Sequence, residues 1–298
     1  MAAGIMLNAR PAAPLAAGSG GFTLIELVIT IALSAVVVSF MAMFMVTPVT
    51  AYTAGARRAD LVDAADNALR FMARDVRGAV PNSLRVGGGG AVTALELLAS
   101  VDGARYRDGG PLTNPNLELD LSAADGAFAT TVPFGYVTLP FSSTSHYIVI
   151  YNVGVPGADA WSMANVITPA GTQINIAAGS TANENLVTLN PAFRFAWGSP
   201  GKRLYLVSGP VSYICDSSAG TLTRYSGYSI SATQPMTAAA FAAAGATAAR
   251  VAADIAACQF TYNAGTAARS GLATMALQLS RSGERVQLLH QVQLVNAP

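Results

Sequence analysis

The chain has 298 residues, of which 52% are hydrophobic and only 11% charged, and its formal net charge is +1. Ordinary soluble domains carry roughly 25% charged residues. A near-neutral balance gives no electrostatic case for a nucleic-acid partner or an acidic substrate. Length alone allows one or two domains.

The N-terminal segment sets the first question. Residues 1–21 contain a single charge, Arg10, and end in Gly20-Gly21. From Phe22 to Val46 the chain is strongly apolar, and Glu26 is its only charged side chain. This run of about 25 residues spans about 37 Å as a helix, enough to cross a ~30 Å hydrocarbon core. A carboxylate inside such a segment costs roughly 2.5–3.5 kcal/mol on insertion scales, so a retained one usually has a partner or a task. A secretory signal places its small-residue cleavage site after the apolar core. Here the small residues come before it. Cleavage after Gly21 would keep the apolar helix on the mature chain, with Phe22 first and Glu26 fifth.

That arrangement, carried by Gly21, Phe22, Thr23, Leu24, Ile25, Glu26 and Leu27, resembles the class III leader of type IV prepilins and type II secretion pseudopilins. The resemblance implies a leader over residues 1–21, a prepilin peptidase that cuts between Gly21 and Phe22, and N-methylation of Phe22. The leader departs from many in the family by being long and poor in basic residues, and Met6 offers an alternative start. The family also implies a task for Glu26: in an assembling filament its carboxylate neutralises the N-terminal ammonium of a neighbouring subunit. Such a pair offsets part of the desolvation that either ion would suffer alone. The plainer alternative is a carboxylate reaching back to the membrane interface.

The helix is expected to continue beyond the membrane, over residues 22–78 as one domain. Pro48 should kink or interrupt it, because proline lacks an N–H and crowds the preceding turn; Gly55 is a second soft point. Farther on, Leu61, Ala65, Leu69, Met72 and Val76 recur at spacings of three and four, which is one apolar stripe. Asp60, Asp63, Asp66, Arg70, Arg74 and Arg77 lie largely off the stripe, and Asp66 and Arg70 form an i,i+4 pair in the favourable order. Gly78 and Pro81 should end the run. The stripe needs a cover, and the rest of the chain must supply it.

Residues 79–298 read as a β-rich head. The glycine run at 86–90 reads as a flexible connector. Strands are predicted at 146–153, 203–209, 211–215 and 221–230, where β-branched and aromatic residues cluster between turn formers. The segments 272–280 and 285–295 read as a hairpin, turning through RSGE at 281–284. Val286, Leu288, Val292 and Leu294 alternate there with Gln287, Gln291 and Gln293. Residues 103–135 read as a long loop with local pieces of structure, and the Ala-rich stretch 237–258 as a helix broken near Gly245 or an irregular surface segment. The predicted fold class is α+β: a long N-terminal membrane-spanning helix packed against a C-terminal antiparallel sheet.

The stretches RFAWGSPGKRLYLVSGPVSYICD, CQFTYNAG and LLHQVQLVNAP look like the minor pilins of mannose-sensitive haemagglutinin (MSHA) pili, the MshO type. That type is related to J-type pseudopilins of type II secretion. Three functions follow: a minor pilin that initiates or caps a type IV pilus, a J-type pseudopilin, and, from another class, a membrane-anchored periplasmic enzyme or binding protein. The first two imply an inner-membrane location with a periplasmic head, then a filament. Their partners would be prepilin peptidase, other pilins bound through the helix, and the assembly platform. In an oxidising periplasm Cys215 and Cys258 are expected to be bonded, tying a sheet strand to the start of CQFTY.

No catalytic set emerges, and neither a cofactor nor a metal is expected. HExxH, CxxC, GxSxG and a Walker loop are absent. Ser199 and Lys202 match S-x-x-K in form only, and Pro200-Gly201 favours a turn. His290 falls on the apolar face of its strand, and His146 is the only other histidine. Asp102, Asp108, Glu118 and Asp120 fit no defined calcium loop. Arg70, Arg74 and Arg77 have acidic neighbours, which favours a solvated helix face over a DNA contact.

Overall fold

The computed structural model describes residues 21–109, 117–265 and 270–294. The predicted leader, apart from Gly21, lies outside them. The chain divides into two compact units, Met1–Gly55 and Ala56–Pro298.

Helix α1 (Leu24–Arg77) runs for 54 residues and ends one residue before Gly78, as its sequence predicts. Its N-terminal part is long and apolar enough to cross a membrane, with none of that window buried within the chain. Of the expected kink or interruption at Pro48, the interruption does not occur: the helix is continuous there. Pro48 has no N–H to offer the Phe44 carbonyl four residues back, so the helix continues there with one backbone bond fewer.

The second unit carries thirteen described strands: β1 (Arg85–Gly89), β2 (Val92–Tyr106), β3 (Asp125–Val132), β4 (Phe141–Ser143), β5 (Tyr147–Val149), β6 (Gln173–Ala178), β7 (Asn185–Phe193), β8 (Arg203–Asp216), β9 (Thr221–Ser226), β10 (Thr247–Ala253), β11 (Ile255–Asn263), β12 (Gly271–Arg281) and β13 (Glu284–Leu294). Helix α2 (Ala238–Ala243) precedes β10. All the pairings are antiparallel. The larger sheet has ten strands in the order β10-β9-β8-β2-β3-β7-β6-β4, with β1 added to β2 and β5 to β8. The smaller sheet is β11-β12-β13.

The core joins the helix to both sheets. Leu61, Ala65, Leu69, Met72 and Val76 are all buried, together with Ala68 and Ala73. They share one cluster with Leu95 and Leu97 of β2, Val211 and Tyr213 of β8, and Phe260, Met275, Leu277, Val286 and Val292 of the smaller sheet. The predicted stripe and its predicted cover are therefore both present. So is the closing hairpin. Arg281 faces Glu284, and the two residues between them, Ser282 and Gly283, have φ of 49° and 85°. Two consecutive positive φ values are those of the tight turn that matches strand twist.

Four further expectations need correction. The glycine run is not a connector but strand β1, paired with the start of β2. Its glycines permit close approach: a Cβ on Gly87 would collide with the Gln234 side chain, and one on Gly88 with the Val92 carbonyl. The two segments either side of Gly209 form the single strand β8, whose register shifts just past the point where Gly209 faces Ala99. The predicted loop at 103–135 contains the end of β2 and all of β3, while residues 110–116 lie outside the described set. The Ala-rich stretch is a short helix followed by strands. Thr237 caps α2 by accepting from the Ala240 N–H, and the chain turns at Gly245 with φ 72°. Beyond it, pairing with β9 and β12 outweighs the helical preference of alanine.

Met72 is fully buried in the shared core, whereas Val37 is 51% exposed. Met72→Ala should lower stability by about 2–5 kcal/mol, and Val37→Ala should leave it nearly unchanged. Chemical denaturation of the full chain in detergent micelles, followed by Trp fluorescence, measures the difference.

Candidate functional site

The N-terminal junction is built around Thr23. Gly21, Phe22 and Thr23 precede α1, and among the described residues nothing lies within 4 Å of where a Gly21 side chain would start. Phe22 is 79% exposed. The Thr23 hydroxyl accepts from the Glu26 N–H at 3.3 Å, and the Thr23 carbonyl accepts from the Leu27 N–H at 3.1 Å. Thr23 is thus the helix N-cap, and Glu26 stands three residues later, where a capping box places its acid. The T-x-x-E signature was present in the sequence, and the role of Thr23 could have been found from it. An acid in the first turn also complements the partial positive charge of the helix start. The fold therefore leaves the Gly21–Phe22 peptide outside the helix and exposed, with Glu26 one turn inside.

A family profile described as the prokaryotic N-terminal methylation motif matches residues 17–42. The match supports a type IV prepilin-like protein. No curated protein and no solved structure matches the chain significantly. The prepilin-like motif implies processing by a prepilin peptidase and assembly with other pilins, and with the apolar helix it suggests membrane anchoring and incorporation into a pilus. It points to a structural pilin rather than an enzyme.

The other candidate residues make the following contacts. The Lys202 N–H bonds to the Ser199 carbonyl at 2.9 Å, which is the predicted turn, and the Lys202 ammonium pairs with Asp108. Ser199 is buried, and its N–H donates to the Tyr106 hydroxyl at 2.8 Å. His146 contacts the Ser143 hydroxyl through Nδ1 at 2.7 Å, and burial lowers its pKa. His290 lies opposite Met275 on the half-buried strand β13. Asp102 accepts from the N–H groups of Gly103, Tyr136 and Val137. Asp120 accepts from the Ser122 hydroxyl and N–H and from the Ala123 N–H, bonds that hold its pKa below the usual carboxylate range. Among the described residues no group of three or more His, Cys, Asp or Glu converges on a metal position. Arg70 pairs with Asp66 at 2.6 Å, and Arg74 lies over the Phe71 ring at 4.7 Å.

Two polar networks escaped the sequence because their members are far apart along the chain. Asp75 of α1 accepts from the Tyr213 hydroxyl at 2.7 Å and from Arg224 Nε at 2.8 Å. Burial and the Asp75 carboxylate drive the Tyr213 pKa far above its ordinary value. Glu96, fully buried on β2, pairs with Arg85 at 2.6 Å and accepts from the Tyr228 hydroxyl at 2.6 Å. The Arg85 guanidinium stacks on Trp161 at 3.7 Å. Desolvation of so largely buried a pair offsets much of its attraction.

Cys215 of β8 and Cys258 of β11 are joined by a disulfide, which links the two sheets across 43 positions of sequence. Loop-entropy reasoning assigns such a closure roughly 4 kcal/mol. Reduction, or the pair Cys215→Ser and Cys258→Ser, should lower unfolding stability by about that amount. Denaturation midpoints with and without reductant, on full chain in detergent, provide the measurement.

Proposed function

We propose that this chain is a minor pilin that helps initiate or cap a type IV pilus of the MSHA type, built into the filament through its N-terminal helix. The observation that carries this reading is the Gly21–Phe22 junction, exposed ahead of a helix whose first turn holds Glu26. The methylation motif at residues 17–42 and the MshO-like stretches near the C-terminus support it. In this reading residues 1–21 are the leader, 22–78 the membrane and packing helix, and 79–298 the head. The inner membrane holds the helix, the head faces the periplasm, and prepilin peptidase, sister pilins and the assembly platform are the partners.

Glu26 is assigned to assembly. After cleavage the Phe22 ammonium becomes the chain terminus, and a neighbouring subunit's acid at this position can neutralise it. Left alone in a low-dielectric setting, that ammonium would cost several kcal/mol, enough to shift association by orders of magnitude.

Mass analysis of membrane-extracted protein from cells with active prepilin peptidase should give a chain beginning at N-methyl-Phe22. A mature chain that still carries residues ahead of Gly21 contradicts the reading. Glu26→Ala removes a charge from the apolar segment, so insertion and cleavage should proceed normally. Helix-to-helix crosslinking with sister pilins should fall severalfold, in line with the loss of a desolvated ion pair. Undiminished crosslinking with normal filament numbers would reduce Glu26 to an interfacial carboxylate.

A further inference from the structure

Between α1 and the edge strand β10 lies a groove that neither processing nor the N-terminal junction uses. Asn67, Ala68 and Phe71 of the helix and Ala249, Arg250 and Val251 of the strand line it, around a volume of about 290 Å³. Side chains of a strand alternate between its two faces, so three consecutive lining residues mean that β10 meets the groove with its backbone edge. That edge is open. β10 pairs with β9 alone, and Val251 has no partner even there, because the register shifts between Arg250 and Ala252. Among the described residues no other hydrogen bond reaches the backbone of Thr247–Ala253. An unpaired edge is a template for a further strand unless lysine, proline or a covering element blunts it. Thr247, Ala248, Ala249 and Arg250 are all exposed, and the first three are small, which leaves room beside the strand.

The groove is also cationic. No acid lines it. Asp66 beside Asn67, Asp75 one turn past Phe71 and Asp254 just past β10 are each paired already, with Arg70, Arg224 and Arg281. The Arg250 guanidinium makes no ion pair or hydrogen bond among the described residues. Arg74 adds a second positive charge 4.7 Å from the centre of the Phe71 ring. A guanidinium carries five N–H donors in a planar fork that matches a carboxylate. Phe71, 37% exposed, and Ala68 supply an apolar floor beside it.

We propose that this groove docks a short, extended, acidic segment of a partner protein. Its backbone adds to the outer edge of β10, a carboxylate lies on Arg250, and an apolar side chain rests on Phe71. In such strand addition the main-chain bonds give affinity and the side-chain pockets give choice of segment. Charge selects the occupant here: a neutral or basic segment would leave Arg250 without a counter-charge, whereas an acid gains a charge-assisted contact. The site does not depend on cleavage at Gly21, so it stands or falls apart from the pilin reading.

Fluorescence anisotropy of the full chain in neutral detergent tests the groove with two labelled peptides. One is Ala-Val-Thr-Val-Asp-Glu with a free C-terminus; the other is Ala-Val-Thr-Val-Asn-Gln with an amidated one. The acidic peptide should bind saturably, and less tightly as salt rises. The neutral peptide should bind about tenfold more weakly or worse, and Arg250→Glu should weaken the acidic peptide by a similar factor. Because Arg250 is exposed, that variant should melt at the parent temperature. Strand addition has its own signature: amide hydrogen exchange within Thr247–Ala253 should slow severalfold when the acidic peptide is bound. No saturable binding of the acidic peptide, equal or tighter binding of the neutral one, full affinity in Arg250→Glu, or binding without the exchange protection would each overturn the proposal.

Discussion

The second unit depends on one burial problem. The residues from Leu61 to Val76 give α1 an apolar stripe that no isolated helix can hide. The larger sheet offers Leu95, Leu97, Val211 and Tyr213, and the smaller offers Phe260, Met275, Leu277 and Val292; a single core results. Polar contacts then specify how these parts meet. Asp75 projects from the helix to Tyr213 and Arg224, so the helix meets β8 and β9 through a directional contact as well as an apolar one. Apolar burial is non-directional, whereas a hydrogen bond also fixes the angle and distance at which the parts meet.

How much of this was legible in the sequence follows from how local each signal is. The stripe, its charged flank and the Asp66–Arg70 pair depend on spacings of three and four, and those spacings were visible. The β12–β13 hairpin was equally plain, because its alternation and its RSGE turn lie within one short window. At the N-terminal junction the residues that carry the motif are contiguous, from Gly21 to Glu26, whereas the cap at Thr23 was not anticipated.

What was misjudged depends on distant partners. The run from Gly87 to Gly90 suggested a flexible link, since glycine is read by its freedom. In the fold, Gly87 and Gly88 use that freedom to admit Gln234 and Met236, which are far away in sequence. Alanine misled in the same manner. Residues 247–253 have helical composition yet extend along β9, and a neighbouring strand's unpaired backbone cannot be read from an alanine count. At Pro48 the interruption, one of the two outcomes expected, is not seen, because α1 runs on through it. The buried pair of Arg85 and Glu96 was invisible, since its packing on Trp161 and Tyr228 brings together residues from three separate regions.

The bond between Cys215 and Cys258 closes a covalent ring around β9, α2 and β10. One edge strand of the larger sheet, β10, therefore sits inside a loop tethered at both ends. A single proteolytic nick anywhere between the two cysteines would leave both fragments attached to each other. The edge of the sheet can also peel only as far as its tethers reach, so it returns to its own partner more readily than it can be lent to another molecule.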